Sequence, residues 1–211
     1  HAVKNLTTAE GGAVALNLPA PFNNEEVYKY LCIKTLHGQN KDALAKTQKG
    51  NGKYDIVEAG YKWNMTDIAA AIGLIELKRY DNDTLVRRRE IFDRYSNALK
   101  SNERFKLPVY QTNEKTGCYH LYPLRINNIN EEQRDLIIKE IFDQDVSVNV
   151  HFIPVPCMSY YKGLGYSIQN YPQTYKNFSC EISLPVYYDL DNNKVDTVIK
   201  AVLHAVNKVL C

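Results

Sequence analysis

Apolar positions change period several times along the chain, and each change marks an element. Ala13-Val14-Ala15-Leu16-Asn17-Leu18 lies between the turn Glu10-Gly11-Gly12 and Pro19, a pattern that predicts a short buried strand. Val27, Tyr30, Leu31 and Leu36 fall on one side of a helix over residues 24–37, with Gly38 as its stop. The stretch from Gln39 to Gly60 is polar and without periodicity, and includes Lys49-Gly50-Asn51-Gly52-Lys53. It exceeds ordinary connections, as functional or mobile loops do. Thr66 is placed as the N-cap of a helix through Ile68, Ala71, Ile72 and Ile75 to about Tyr80. A second helix starts at Thr84, with Leu85, Phe92, Tyr95 and Leu99 on its apolar side.

From Asn102 to Lys115 the chain turns polar and irregular, which places a domain boundary between residues 101 and 102. Cys118 to Ile126 reads as a strand, and Pro123 within it suggests an edge position. Asn130 and Gln133 have capping-box spacing ahead of a helix carrying Leu136, Ile137, Ile141 and Phe142. Val146, Val148, Val150 and Phe152 alternate, a strand pattern that runs to Ile153. Tyr160 to Tyr175 reads as loop with short helices, and Ile182 to Val186 as a short strand. Asp191 opens a last helix with Val195, Val198, Ile199, Val202, Val206, Val209 and Leu210 at helical spacing. The second half is therefore an α+β sandwich.

Composition narrows the class. The 211 residues are 45% apolar and 24% charged with 8 prolines and 10 glycines, which excludes disordered and low-complexity architectures. A net charge of +2, with no run of like charges beyond Arg87-Arg88-Arg89, gives no basis for nucleic-acid binding. Those arginines read as a solvated helix face, with a nucleotide diphosphate contact as the alternative. No apolar run approaches the roughly 18 residues of a membrane span. Five cysteines without a C-x-x-C pair, and five histidines without H-x-x-x-H spacing, point to reduced thiols, a cytoplasmic protein and no metal centre. The first residue is His1 rather than Met, so the chain is expected to start partway into a longer product. Sixteen tyrosines supply flat apolar area with polar tips, suited to sugars, nucleotides and interfaces.

The chemistry centres on the first dozen residues, His1-Ala2-Val3-Lys4-Asn5-Leu6-Thr7-Thr8-Ala9-Glu10-Gly11-Gly12. A lysine in such a small, mostly uncharged stretch is either desolvated and nucleophilic toward a carbonyl or a solvated loop lysine.

This stretch resembles the F-H-A-x-K-N-[IL]-T-x-x-E-G-G motif of the DegT–StrS family of sugar aminotransferases. Gly60-Tyr61-Lys62-Trp63-Asn64-Met65-Thr66-Asp67-Ile68, Ala70-Ala71-Ile72-Gly73-Leu74, His120-Leu121-Tyr122, His151-Phe152-Ile153-Pro154 and Ser183-Leu184-Pro185-Val186-Tyr187 match further family signatures in order. The resemblance implies an α/β fold, the carboxy-terminal part of a fold-type I aminotransferase dependent on pyridoxal 5'-phosphate (PLP). Residues 1–101 would end the large α/β domain and 102–211 would form the small α+β domain. Lys4 would be the Schiff-base lysine. Lys62 and Asn64 would sit near the cofactor phosphate of a neighbouring subunit in a homodimer. His151 and Tyr61, and with less claim His120, would approach the substrate, although a structural role for either histidine stays open. The reaction implied is amino transfer from glutamate to a nucleotide-linked keto-sugar in surface polysaccharide or glycan synthesis. Lys62-Trp63-Asn64 stands where many members have Asn-Tyr-Arg. The family's polypeptide extends about as far again upstream of this lysine, so the 211 residues alone are expected to be inactive, a remnant that dimerises or binds sugar-nucleotide being the alternative. A protease-resistant core is expected to begin near Asn102.

Overall fold

The computed structural model describes residues 4–41 and 53–211. His1 and most of the lysine- and glycine-rich run at 49–53 lie outside the described residues. Two compact units emerge, one of residues 6–78 and one of residues 79–211 joined by Lys4 and Asn5. By packing, the division falls between Lys78 and Arg79, so the helix ending at Leu99 belongs with the second unit.

In the first unit, α1 (Asn24–Thr35) starts where the Asn23 side chain accepts the amides of Glu25 and Glu26. α1 ends at a turn in which Gly38 adopts φ +76°, and a Cβ there would lie 1.8 Å from the Glu58 carbonyl oxygen. The close approach brings Gly60 onto Gly38. Tyr61 N then donates to Lys34 O (2.7 Å), His37 N to Tyr61 O (2.9 Å) and Asn64 N to Thr35 O (3.1 Å), which laces residues 60–64 along the end of α1. α2 (Asp67–Arg79) begins where Thr66 Oγ1 accepts Ala69 N at 3.3 Å, the cap its sequence requires. No residue of α1 or α2 is buried. Ala13–Leu18 forms no strand: Val14 is 76% exposed, and no ladder partner for the segment exists among the described residues.

A π turn over Tyr80–Thr84 leads into α3 (Leu85–Leu99), which opens the second unit. A three-stranded antiparallel sheet follows, β1 (Phe105–Lys106), β2 (Tyr122–Ile126) and β3 (Glu181–Leu184), with β2 in the centre. Pro123 therefore does not mark an edge. β1 pairs only with Ile126 and Arg125, so β2 has a single neighbour at Pro123, where the missing amide costs no ladder bond to β1. α4 (Glu131–Phe142) carries the reciprocal capping box, Gln133 N to Asn130 Oδ1 (2.8 Å) and Asn130 N to Gln133 Oε1 (3.1 Å). Short helices α5 (Ser159–Gly163) and α6 (Pro172–Phe178) precede β3, and α7 (Asn192–Leu210) closes the chain behind the Asp191 cap.

One face of the sheet, Tyr122, Leu124, Ile126, Ile182 and Leu184, is buried in a core with Ile137 and Ile141 of α4 and Val195, Val202 and Val206 of α7. Phe92 of α3 meets Tyr110, Tyr119 and Tyr122 edge-to-face at 5.3, 5.3 and 5.0 Å between ring centres. Val146 and Val148 are buried as their alternation predicts, but pairing is limited to a bridge between Asn149 and Ser183. Side-chain acceptors take the next amides, Asn149 Oδ1 that of Val150 (2.8 Å) and Glu181 Oε2 that of His151 (3.0 Å), and so end the ladder.

Candidate active site

Lys4 lies in the second unit, tied there through its neighbour Asn5. The Asn5 amide nitrogen donates to Cys118 O at 2.5 Å and to the Tyr80 hydroxyl at 3.4 Å, and its Oδ1 meets His120 Nδ1 at 2.9 Å. A carbonyl can only accept, so the Asn5 nitrogen faces Cys118 and its oxygen faces His120. His120 must then carry its proton on Nδ1. The side chain of Lys4 itself is exposed, the solvated one of the two settings its sequence context allows.

The 118–120 segment can offer two groups to Asn5 because Tyr119 turns the chain at φ +51°, a left-handed conformation unusual for a side chain of this size. Two contacts hold that turn. The Tyr119 ring is buried in the aromatic cluster, and Arg88 Nη1 donates to Tyr119 O (3.1 Å) and His120 O (3.3 Å). Arg88 is 4% exposed, so the triple-arginine run is not a uniformly solvated face. Only Arg89 is exposed; Arg87 turns to α7 and the loop before it, donating to Leu190 O and, at 3.1 Å, to Asn192 Oδ1. The signal was present in the sequence: Arg88 occupies the stripe of Leu85, Phe92, Tyr95 and Leu99.

His120 and His151 are both half-buried, and burial lowers the pKa of each below the ordinary 6.5. The charges of Arg88, Lys4 and His151 add to the lowering at His120, and that of Lys4 at His151. Both rings are therefore neutral near pH 7. His151 Nδ1 is buried without a hydrogen-bond partner in the structure. Beneath it, the pleat opposite the core carries Arg125 and the buried Glu181, whose carboxyl is raised above the usual range by burial despite the bond from the Ser183 hydroxyl. His151, Phe152, Arg125, Asn177 and Glu181 line a cleft of about 520 Å³. Arg125 Nη1 donates to Asn177 Oδ1 at 2.6 Å on its wall.

Tyr61, Lys62 and Asn64 belong to the first unit. Their backbone is held along α1, and Leu36 and Lys62 form an isolated antiparallel bridge. Tyr61 stacks face to face on Trp63 at 4.0 Å, while the side chains of Lys62 and Asn64 are exposed. The structure thus brings Lys4, His120 and His151 into one electrostatic group and Tyr61, Lys62 and Asn64 onto one laced segment. Sequence reasoning missed Asn5, Arg125 and Glu181 as parts of the candidate site, and read Arg88 as solvated or as a nucleotide contact rather than as a buried anchor. Among the described residues no three His, Cys, Asp or Glu side chains gather as a metal site, and no helix is long and apolar enough to cross a membrane.

Comparison with known proteins supplies the family. A Streptococcus pneumoniae protein assigned as a sugar aminotransferase, Spr1654, in its PMP form, superposes with a TM-score of 0.89 at 42% identity over 99% of this chain and 52% of that structure. The same protein in its PLP form gives a TM-score of 0.86 at 39% identity, covering 100% of this chain and 51% of that one. An uncharacterized protein of Methanocaldococcus jannaschii is 36% identical over 99% of this chain and 53% of its own length. The Bacillus subtilis spore coat polysaccharide biosynthesis protein SpsC is 34% identical over 96% of this chain and 51% of its own. The chain spans about half the length of these relatives, and its fold is that of the carboxy-terminal part of a fold-type I aminotransferase. The model of the DegT/DnrJ/EryC1/StrS aminotransferase family matches residues 1–203, and the chain belongs to that PLP-dependent family.

Proposed function

We propose that the protein moves an amino group from glutamate to a nucleotide-linked keto-sugar, feeding surface polysaccharide or glycan synthesis, with PLP attached to Lys4. The observation that carries this reading is the exposed primary amine of Lys4 at the end of a fixed Asn5–His120 contact, beside two histidines held neutral. These residues fit the cofactor: an accessible amine can reach its aldehyde, and neutral imidazoles do not compete for its charge. PLP, when bound, supplies an electron sink for bond breaking at the donor's α-carbon. Lys4 holds the cofactor between turnovers and, once released, carries the proton to or from that α-carbon.

Lys62 and Asn64 supply a cation and an amide suited to a phosphate, and are proposed to serve the site of a second subunit. The exposed Trp63, Ile68, Leu74, Ile75 and Leu77 are apolar surface that a second subunit, or the rest of a polypeptide of the relatives' length, would cover, and a homodimer is proposed. His151, with Arg125 in the same cleft, and Tyr61 are proposed to meet the substrate, and His120 to stand close to it. Taken alone, the 211 residues are proposed to be inactive, and the setting is proposed to be cytoplasmic.

The test is transfer of label from ¹⁵N-glutamate to a nucleotide keto-sugar by a polypeptide of the relatives' full length. Transfer that is lost in Lys4→Arg supports the reading, and transfer that survives Lys4→Arg overturns it.

A further inference from the structure

The Asn5–His120 contact takes no chemical part in the reaction proposed above, yet Asn5 is held on three sides next to Lys4. Asn5 makes bonds to three groups, Cys118 O, the Tyr80 hydroxyl and His120 Nδ1, at 2.5, 3.4 and 2.9 Å. The turn that presents two of them is left-handed at Tyr119, and such a conformation persists only when its surroundings hold it. Arg88 does so from a helix, by bonding the carbonyls of Tyr119 and His120. A chain of contacts therefore runs from the buried face of α3 to the residue beside Lys4: Arg88, the 119–120 carbonyls, the His120 ring, Asn5. Every link is polar and directional, whereas the Lys4 side chain itself is exposed. A lysine side chain has several rotatable bonds of its own; a fixed neighbour confines where its amine can be.

We propose that Asn5 and His120 are positioning residues for Lys4, a clamp that fixes the backbone at the lysine and is itself braced by Arg88. The proposal rests on Lys4 as the cofactor-bearing residue. It assigns His120 a specific state, with the proton on Nδ1 given to Asn5 and the lone pair on Nε2. His120 thus acts on Lys4 through Asn5.

Two readouts on the 211-residue chain test it. The first is the ¹⁵N spectrum of the imidazole: a protonated Nδ1 in the wild type that reverts to the commoner Nε2–H form in Asn5→Ala supports the clamp, and an Nε2–H ring in the wild type overturns it. The second is capture of pyridoxal phosphate alone, made permanent with borohydride and mapped by peptide mass spectrometry. Label on Lys4 is compared with that on Lys139, which is exposed on α4. A Lys4 share several-fold above Lys139 in the wild type and equal to it in Asn5→Ala supports the proposal. A Lys4 share unchanged in Asn5→Ala overturns the clamp while leaving Lys4 as the attachment point. A wild-type Lys4 share no greater than that of Lys139 overturns it as well. Transfer that survives Lys4→Arg in the full-length polypeptide is a separate result, and would instead overturn the reading on which the clamp rests.

Discussion

Replacing Arg88 by methionine separates a buried anchor from a solvated arginine. Methionine keeps much of the stem volume, so the loss is confined to the guanidinium and what it holds. Two bonds to carbonyls disappear, at 3.1 and 3.3 Å, long enough to sit at the low end of charge-assisted bonds, together about 3 kcal/mol. The left-handed Tyr119 loses its brace, and about 1 kcal/mol of backbone strain is no longer offset. Against this, burial no longer penalises a charge. The penalty is real, because burial is the main cause lowering the Arg88 pKa. A net cost of about 2–3 kcal/mol follows, after about 1–2 kcal/mol of relief from that desolvation. For a unit of this size the melting temperature should fall by about 6–12 °C. The assay is thermal unfolding of Arg88→Met beside Arg89→Met, the exposed neighbour, whose guanidinium lies 5.4 Å from the centre of the Tyr119 ring and which should change by no more than about 1 kcal/mol. Arg88→Met melting together with Arg89→Met would refute the anchor, and with it the bracing of the 118–120 turn.

Other outcomes follow from particular contacts. Asn130→Ala should cost about 1 kcal/mol and Gln133→Ala about half that, since each removes one arm of the capping box; melting curves unchanged for both would show the box to be idle. His120 and His151 should titrate below 6.5 by NMR, and Lys4→Ala should raise both, because the Lys4 charge lowers each; a ring at or above 6.5 would contradict this. Their folded pKa values are depressed, so the stability they confer is complete above about pH 6.5 and is lost as pH falls through the lower folded values. Limited trypsin digestion should leave a resistant piece beginning near Arg79, because α3 contributes Ile91, Phe92, Tyr95 and Leu99 to the core; a resistant piece beginning near Asn102 would contradict that packing.

Local signals in the sequence were sufficient where one element satisfies itself. The Asn130–Gln133 box, the Asp191 cap, the Gly38 stop and the apolar stripes of α3 and α7 all stand as their spacing predicts. Prediction failed where the answer lay in another part of the chain. Pro123 is tolerated in a central strand because β1 is only two residues long, which is invisible from residues 118–126. The 146–153 alternation stops pairing because Glu181, thirty residues on, takes the His151 amide. Ala13–Leu18 has the composition of a buried strand but no partner strand among the described residues. At the site, Lys4 was legible only through the family motif. Asn5, its neighbour in the same motif, draws its importance from Cys118 and His120, more than a hundred residues away. Arg88 is the instructive case: its charge suggested solvent, while its position on the apolar stripe indicated burial. Arg134 repeats the pattern on α4, buried in line with Ile137 and Ile141 and donating to Phe178 O at 2.8 Å.

The most direct measurement is the covalent address of the cofactor. The full-length polypeptide is incubated with pyridoxal phosphate, reduced with borohydride and digested, and the modified peptide is sequenced by mass spectrometry. One modification per chain, on Lys4, and its disappearance in Lys4→Arg with the fold intact, is the predicted result. Modification of a different lysine, or stoichiometric label persisting in Lys4→Arg, would contradict the assignment of this site.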